Sequence, residues 1–210
     1  MNQGSLFAGD STQSRFNLLP KDGFANYHPE FMSKADSTHL MNQLQQSVHW
    51  EADQLRMFGK LVVTRRKVIW MGDPDCAYTY SGVLKQPQVW TTELLALKEQ
   101  LEKLTQSEFN SCLLNFYHDG DDGMGWHSDD EKELDVNTPI ASLSLGAQRK
   151  FAFRHKEDKT TVPLYLENGS ALIMYAPTQE FWKHALLKTK TICTPRINLT
   201  FRKILIQNGK

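Results

Sequence analysis

The chain has 210 residues, enough for one domain with a sizeable core, and its 40% hydrophobic and 23% charged content is that of an ordinary globular protein. Twenty-four basic residues balance 24 acidic ones, so net charge gives no pull toward polyanions, and no apolar run approaches the ~18 residues of a membrane span. Cys76, Cys112 and Cys193 are odd in number and scattered, which argues against a disulfide framework or a cysteine zinc site and suits a reducing compartment.

In chain order, residues 1–27 are polar and aperiodic and read as a loosely ordered lead-in to a single domain over 28–210. Its first ten residues lack a basic start and an apolar core, so the expectation is a cytoplasmic protein, nuclear in a eukaryote, with no membrane partner and acting as a monomer. Leu40, Leu44 and Val48 recur every four residues behind Asp36 and Ser37, which predicts a helix over 36–50. Leu61 to Val63, Val68 and Ile69 favour strands over 55–70, and residues 72–75 mark a turn before the aromatic segment 78–82. The clearest helix spans 92–106, with Leu94, Leu97, Leu101 and Leu104 on one stripe.

Beyond that helix the chain reads as short strands over 111–117, 140–145, 150–154, 162–166, 170–175 and 191–206, broken at Gly146, Asn168-Gly169 and Pro177. Such a series is that of a sandwich or barrel. We read it as mainly β with flanking helices, α+β overall, folded as a double-stranded β-helix or jelly roll.

The chemistry concentrates in NFYHDGDDGMGWHSDDE, residues 115–131. In extended backbone His127 and Asp129 point the same way and can grip one ion. Two histidines and one carboxylate form the facial triad that leaves a non-haem Fe(II) open for O2, and His184 is the best candidate for the third ligand. Downstream, Arg196, Asn198, Thr200 and Arg202 alternate with Ile197, Leu199 and Phe201. A buried strand face with two guanidiniums needs a dianion, and a diacid beside iron suggests 2-oxoglutarate.

His127-x-Asp129, His184 and Arg196-x-Asn198-x-Thr200-x-Arg202, with Asn115-x-Tyr117 upstream, together resemble the AlkB family of Fe(II)/2-oxoglutarate-dependent nucleic-acid dealkylases. The likeness runs from about Phe58 to Lys203 and is strongest to the branch that repairs duplex DNA. It implies that His127, Asp129 and His184 bind iron and that Asn115, Tyr117, Arg196, Asn198, Thr200 and Arg202 hold the cosubstrate. Arg202 would take the distal carboxylate and Arg196 would support the iron end. Phe58-Gly59-Lys60 resembles the finger that fills the gap left by a flipped base, and Tyr78, Tyr80 and Ser81 resemble the base pocket. Asp130 and Glu131 look like the substrate-side acids. Met71 departs from the aromatic that close relatives carry, which bears on base preference.

The resemblance implies oxidative demethylation of 1-methyladenine or 3-methylcytosine in alkylated DNA, with release of formaldehyde, succinate and CO2. Basic clusters at Arg65, Arg66 and Lys67 and at Arg149, Lys150, Arg154, His155 and Lys156 would follow the phosphate backbone. An oxygenase acting on RNA, protein or a small molecule stays open, as does a non-catalytic metal-binding module.

Overall fold

Period-2 alternation along the last strand decides which side of the main sheet carries chemistry. The computed structural model describes residues 16–206 except 58–59, 77 and 81–82, with backbone alone at 55–57, 60–62, 78–80 and 83–85. The elements run β1 (Phe24–His28), α1 (Lys34–Ser47), β2 (Glu51–Met57), β3 (Lys60–Gly72), β4 (Tyr78–Tyr80), β5 (Val83–Lys85), α2 (Thr92–Thr105), β6 (Ser111–Tyr117) and β7 (Met124–His127). They continue with β8 (Ile140–Gly146), β9 (Arg149–His155), β10 (Thr161–Leu166), β11 (Ala171–Tyr175), α3 (Thr178–Phe181), β12 (Trp182–Leu186) and β13 (Arg196–Arg202). No described helix is long and apolar enough to cross a membrane.

Seven strands form one sheet in the order β1-β11-β8-β13-β6-β3-β2, four form a second in the order β10-β9-β12-β7, and β4 and β5 form a hairpin of their own. The strands of both larger sheets pair antiparallel, as the jelly-roll expectation requires. Ile197, Leu199 and Phe201 of β13 join Leu40 and Leu44 of α1 and Leu94, Leu97 and Leu101 of α2 in one core. A second core, with Ile140, Phe151, Phe153, Leu172 and Trp182, draws on both sheets. The intervening residues of β13 therefore face the second sheet.

The helices obey their capping chemistry, although the first starts earlier than expected. Ser33, not Asp36 or Ser37, caps α1 by accepting from the Asp36 N–H at 3.1 Å, and Thr91 caps α2 by accepting from the Leu94 N–H at 3.3 Å. The strands also differ from the sequence reading. Phe24–His28 pairs with β11, so the lead-in is shorter than expected. The last strand is confined to 196–202, and β7 and β12 had no recognisable alternation.

Those two short strands carry the histidines of interest, and Arg149 fixes where they lie. From β9 its guanidinium donates to the carbonyls of Asp119, Gly120 and Asp122 in the β6–β7 loop and to that of Leu187 after β12, at 2.7–3.2 Å. A planar five-donor group suits several acceptors at once, so one buried side chain ties the approach to β7 to the end of β12. Arg149→Met keeps the stem and removes these donors. Unfolding free energy should fall by about 2–4 kcal/mol in urea titration, whereas an unchanged midpoint would show the clasp to be dispensable.

Candidate active site

Antiparallel pairing of β7 with β12 places His127 opposite His184, with ring centroids 4.3 Å apart. Asp129 follows just past the end of β7, where its backbone N–H donates to Gln179 Oε1 at 2.9 Å. One ligand atom from each of these three residues lies within 4.8 Å of the others, a spacing that one ion can bridge. His118, by contrast, is tied through Nδ1 to Asp122 at 2.8 Å and stays outside the group.

Each ligand is held in the form that a cation needs. His127 Nδ1 lies 2.8 Å from the Gly125 carbonyl; a carbonyl only accepts, so Nδ1 carries the proton and the Nε2 lone pair is left for a metal. Burial pushes the His184 pKa down to about 3, with Asp129 opposing, so its ring is neutral. Phe151 stacks on that ring at 5.5 Å and fixes its plane. Burial alone would raise the Asp129 carboxyl pKa, but the Arg202 guanidinium and the two imidazoles override it and hold the group ionised.

Arg202 Nη2 sits 2.8 Å from Asp129 Oδ1, with both side chains buried. Of the two arginines it is thus Arg202, expected at the distal carboxylate, that lies against a candidate metal ligand. Arg196, at the other end of β13, is 1% exposed, donates to Ser144 Oγ at 2.9 Å and lies with its guanidinium carbon 5.4 Å from the Tyr117 ring centroid. Its Nε and Nη1 have no partner among the described residues, and burial pushes its pKa down to about 10, only partly offset by Tyr117. A buried cation in that state calls for an anion, which makes Arg196 the natural partner of a distal carboxylate.

Between the arginines, Asn198 bonds Ser142 Oγ at 3.1 Å and Thr200 Oγ1 at 3.2 Å, while Asn115 faces Asn198 across the β6–β13 ladder. Ser142 and Ser144 escaped sequence reading because IASLSLG lacks any charged or aromatic marker; only the register with β13 shows that these small hydroxyls complete the polar face.

A cavity of about 400 Å³ opens over the triad, lined by Arg66, Trp70, Asn115, Met124 and Glu131. Glu131 presents a buried oxygen, Oε2, without a partner, an acceptor suited to an exocyclic amine. Asp130 does not share that cavity: its side chain is 67% exposed and lies 3.8 Å from Lys156 Nζ. Phe58, Gly59 and Ser81 lie outside the described residues, as do the side chains of Lys60, Tyr78 and Tyr80.

Three further expectations change. Arg66 is buried and ion-paired with Asp53, so it is no surface contact for phosphate. Arg149 and His155 are likewise buried, which leaves Arg154, over the Trp126 ring at 3.8 Å, and its lysine neighbours as the exposed part of the second cluster. Met71 packs in the helix-side core while Trp70 takes the cavity wall, so the departure at Met71 falls outside the pocket.

Residues 24–202 match the 2OG-Fe(II) oxygenase superfamily. The DNA oxidative demethylase ALKBH2 of Mus musculus is 36% identical over 94% of this chain and 87% of that protein. The chain belongs to the AlkB family of these oxygenases. The Homo sapiens protein of the same name is 35% identical over 94% of this chain and 80% of its own length, and the alpha-ketoglutarate-dependent dioxygenase alkB homolog 3 of Mus musculus is 37% identical over 84% and 65%. The solved structure of OsALKBH1 agrees in fold, with a TM-score of 0.60 at 18% identity over 85% of this chain and 97% of that one.

AlkB-family membership implies iron and 2-oxoglutarate, and the residues present fit both. A neutral His184, the Nε2 of His127 and an ionised carboxylate suit Fe(II), and the Arg196 donors without a partner among the described residues suit a dicarboxylate. Asp129→Ala should abolish saturable Mn(II) binding in isothermal titration while leaving the circular dichroism spectrum unchanged; retained stoichiometric binding would remove Asp129 from the triad. Arg196→Lys keeps charge but loses the fork, so affinity for 2-oxoglutarate should fall about tenfold or more, and an unaltered affinity would rule out its anchoring role.

Proposed function

We propose that this protein is an oxidative demethylase of N-alkylated bases in DNA, acting on 1-methyladenine and 3-methylcytosine with Fe(II), O2 and 2-oxoglutarate. One observation carries the reading: His127 and Asp129 of the triad line the same cavity as Glu131, so a base that hydrogen-bonds to Glu131 presents its edge to the metal. The identity to relatives named DNA oxidative demethylase supports it.

When bound, iron with O2 and 2-oxoglutarate supplies the oxidation of an N-methyl group to a hemiaminal, which releases formaldehyde; succinate and CO2 are the coproducts. The chain's own part is placement. His127, Asp129 and His184 hold the ion on one side, Arg202 keeps Asp129 ionised, and Arg196 with Tyr117, Asn198 and Thr200 takes the diacid. The base must leave its stack to reach the cavity, and the family resemblance assigns Tyr78, Tyr80 and Ser81 to it. Trp126, Arg154, Lys156, Lys159 and Lys183 line one groove and give a backbone phosphate its electrostatic footing. All three candidate metal ligands come from one chain, so a single copy suffices for the site, and the reading places the protein as a monomer in the compartment that holds the DNA.

Formaldehyde release from matched methylated single- and double-stranded oligonucleotides tests the reading directly. Iron- and 2-oxoglutarate-dependent release is expected from DNA; turnover confined to methylated RNA, or none on any nucleic acid, would overturn it. Phe58→Ala should cut release from duplex by about one to two decades while largely sparing single strands, because a stacked ring returns roughly 1–3 kcal/mol of the cost of flipping. Equal losses on both substrates would make Phe58 a core residue.

A further inference from the structure

The basic run Arg65-Arg66-Lys67 alternates as a strand should, with Arg65 outward and paired to Asp119 at 2.9 Å and Arg66 inward. The β2–β3 register shifts here: between the Ala52–Lys67 and Gln54–Val63 pairs, Asp53 alone on β2 stands against Thr64, Arg65 and Arg66 on β3. Ala52 and Gln54 are exposed while Asp53 between them is 1% exposed, so strand alternation turns one carboxylate into the interior opposite the irregularity. There Asp53 Oδ2 meets Arg66 Nη2, and Arg66 Nη1 lies 3.0 Å from Met124 Sδ on β7.

The ladder says what else Arg66 reaches. Val68 pairs with Asn115 and Lys67 with Phe116, where the β3–β6 ladder ends; Arg66 follows on the Val68 face, next to the end of β6 at Tyr117, which pairs on its other side with Arg196. The Tyr117 ring thus lies between two buried guanidiniums, one from each neighbouring strand. Burial would lower the Arg66 pKa, but the Tyr117 phenol and the Asp53 carboxylate together raise it. A buried ion pair is often no more stable than a well-packed apolar pair of the same volume, so stability alone gives no reason for one on a cavity wall.

We infer that Arg66 is a positioning residue for the cosubstrate: anchored by Asp53, its guanidinium orients the Tyr117 phenol and makes the β2–β3 hairpin part of the 2-oxoglutarate site. A guanidinium can only donate, so the phenol oxygen accepts from Arg66 and its own O–H is turned away, free to donate to a carboxylate held by Arg196. Asp53 keeps the guanidinium from swinging into the cavity. The inference rests on the proposed function only in taking 2-oxoglutarate as the ligand of the Tyr117–Arg196 end.

Calorimetric titration of 2-oxoglutarate into the anaerobic, Mn(II)-loaded full chain tests it, alongside kcat and KM for a methylated single-stranded oligonucleotide. Arg66→Met should weaken 2-oxoglutarate binding about tenfold and leave the oligonucleotide KM unchanged, with Arg66→Lys recovering part of the loss. Asp53→Asn, isosteric and tolerant of the fold, should move binding in the same direction and carries the test if Arg66→Met fails to fold. Combining Arg66→Met with Tyr117→Phe should cost little more than either change alone, because both break one contact. Unchanged 2-oxoglutarate affinity in Asp53→Asn and Arg66→Met with a raised oligonucleotide KM would make Arg66 a substrate contact, and additive losses would separate it from Tyr117; either result overturns the inference. Failure of the wild-type chain to bind 2-oxoglutarate at all would instead overturn the functional reading, and this one with it.

Discussion

A carboxylate buried between one guanidinium and two imidazoles sets the terms for this interior. Asp129 remains ionised out of water because Arg202 lies against it, and the buried Arg202 in turn finds a counter-charge in Asp129. The pair sits at the seam between the sheets, one member on the central strand β13 and the other just past β7. Neither sheet could shift by a register step without stranding a charge. The same constraint separates the ends of the polar face: charge is already balanced at Arg202 and unbalanced at Arg196, so a dianion has one orientation to prefer.

Geometry elsewhere converts ordinary sheet rules into ligand preparation. Cross-strand registry makes the two histidines neighbours although 57 sequence positions separate His127 from His184. A single backbone carbonyl, that of Gly125, selects the tautomer of one, while burial suppresses protonation of the other. Small hydroxyls from β8 brace the asparagine and arginine of β13. None of these contacts is strong alone, and together they leave little for a metal or diacid to reorganise on arrival.

Much of this was legible in the sequence because it rests on period and residue type. The alternation of RINLTFR and the leucine stripe of residues 92–105 both arise from a face that must be buried, and such faces write themselves into composition. What escaped was whatever depends on partners far along the chain. MGWH and WKHAL show no clean alternation because the first is half-exposed along its whole length and the second is buried at four of its five positions, and the direction of each arginine is set by which carboxylate the fold delivers. A run of three basic residues looked like a surface because nothing local reveals that Asp53 turns inward to meet the middle one.

The clasp made by Arg149 bears on how such a protein can change over time. A side chain built on Gly120 would sit 2.1 Å from the Thr189 carbonyl oxygen, and the carbonyls on either side of that loop are already claimed. The β6–β7 connection therefore admits neither a larger residue there nor an inserted one, since either would drag both histidine strands with it. Among the described residues the β2–β3 and β4–β5 hairpins are built differently: β2 lies at a sheet edge and β4 and β5 form a two-stranded sheet of their own. Room for a changed substrate contact in this scaffold therefore lies in those two hairpins, while the metal-bearing half has little slack to give.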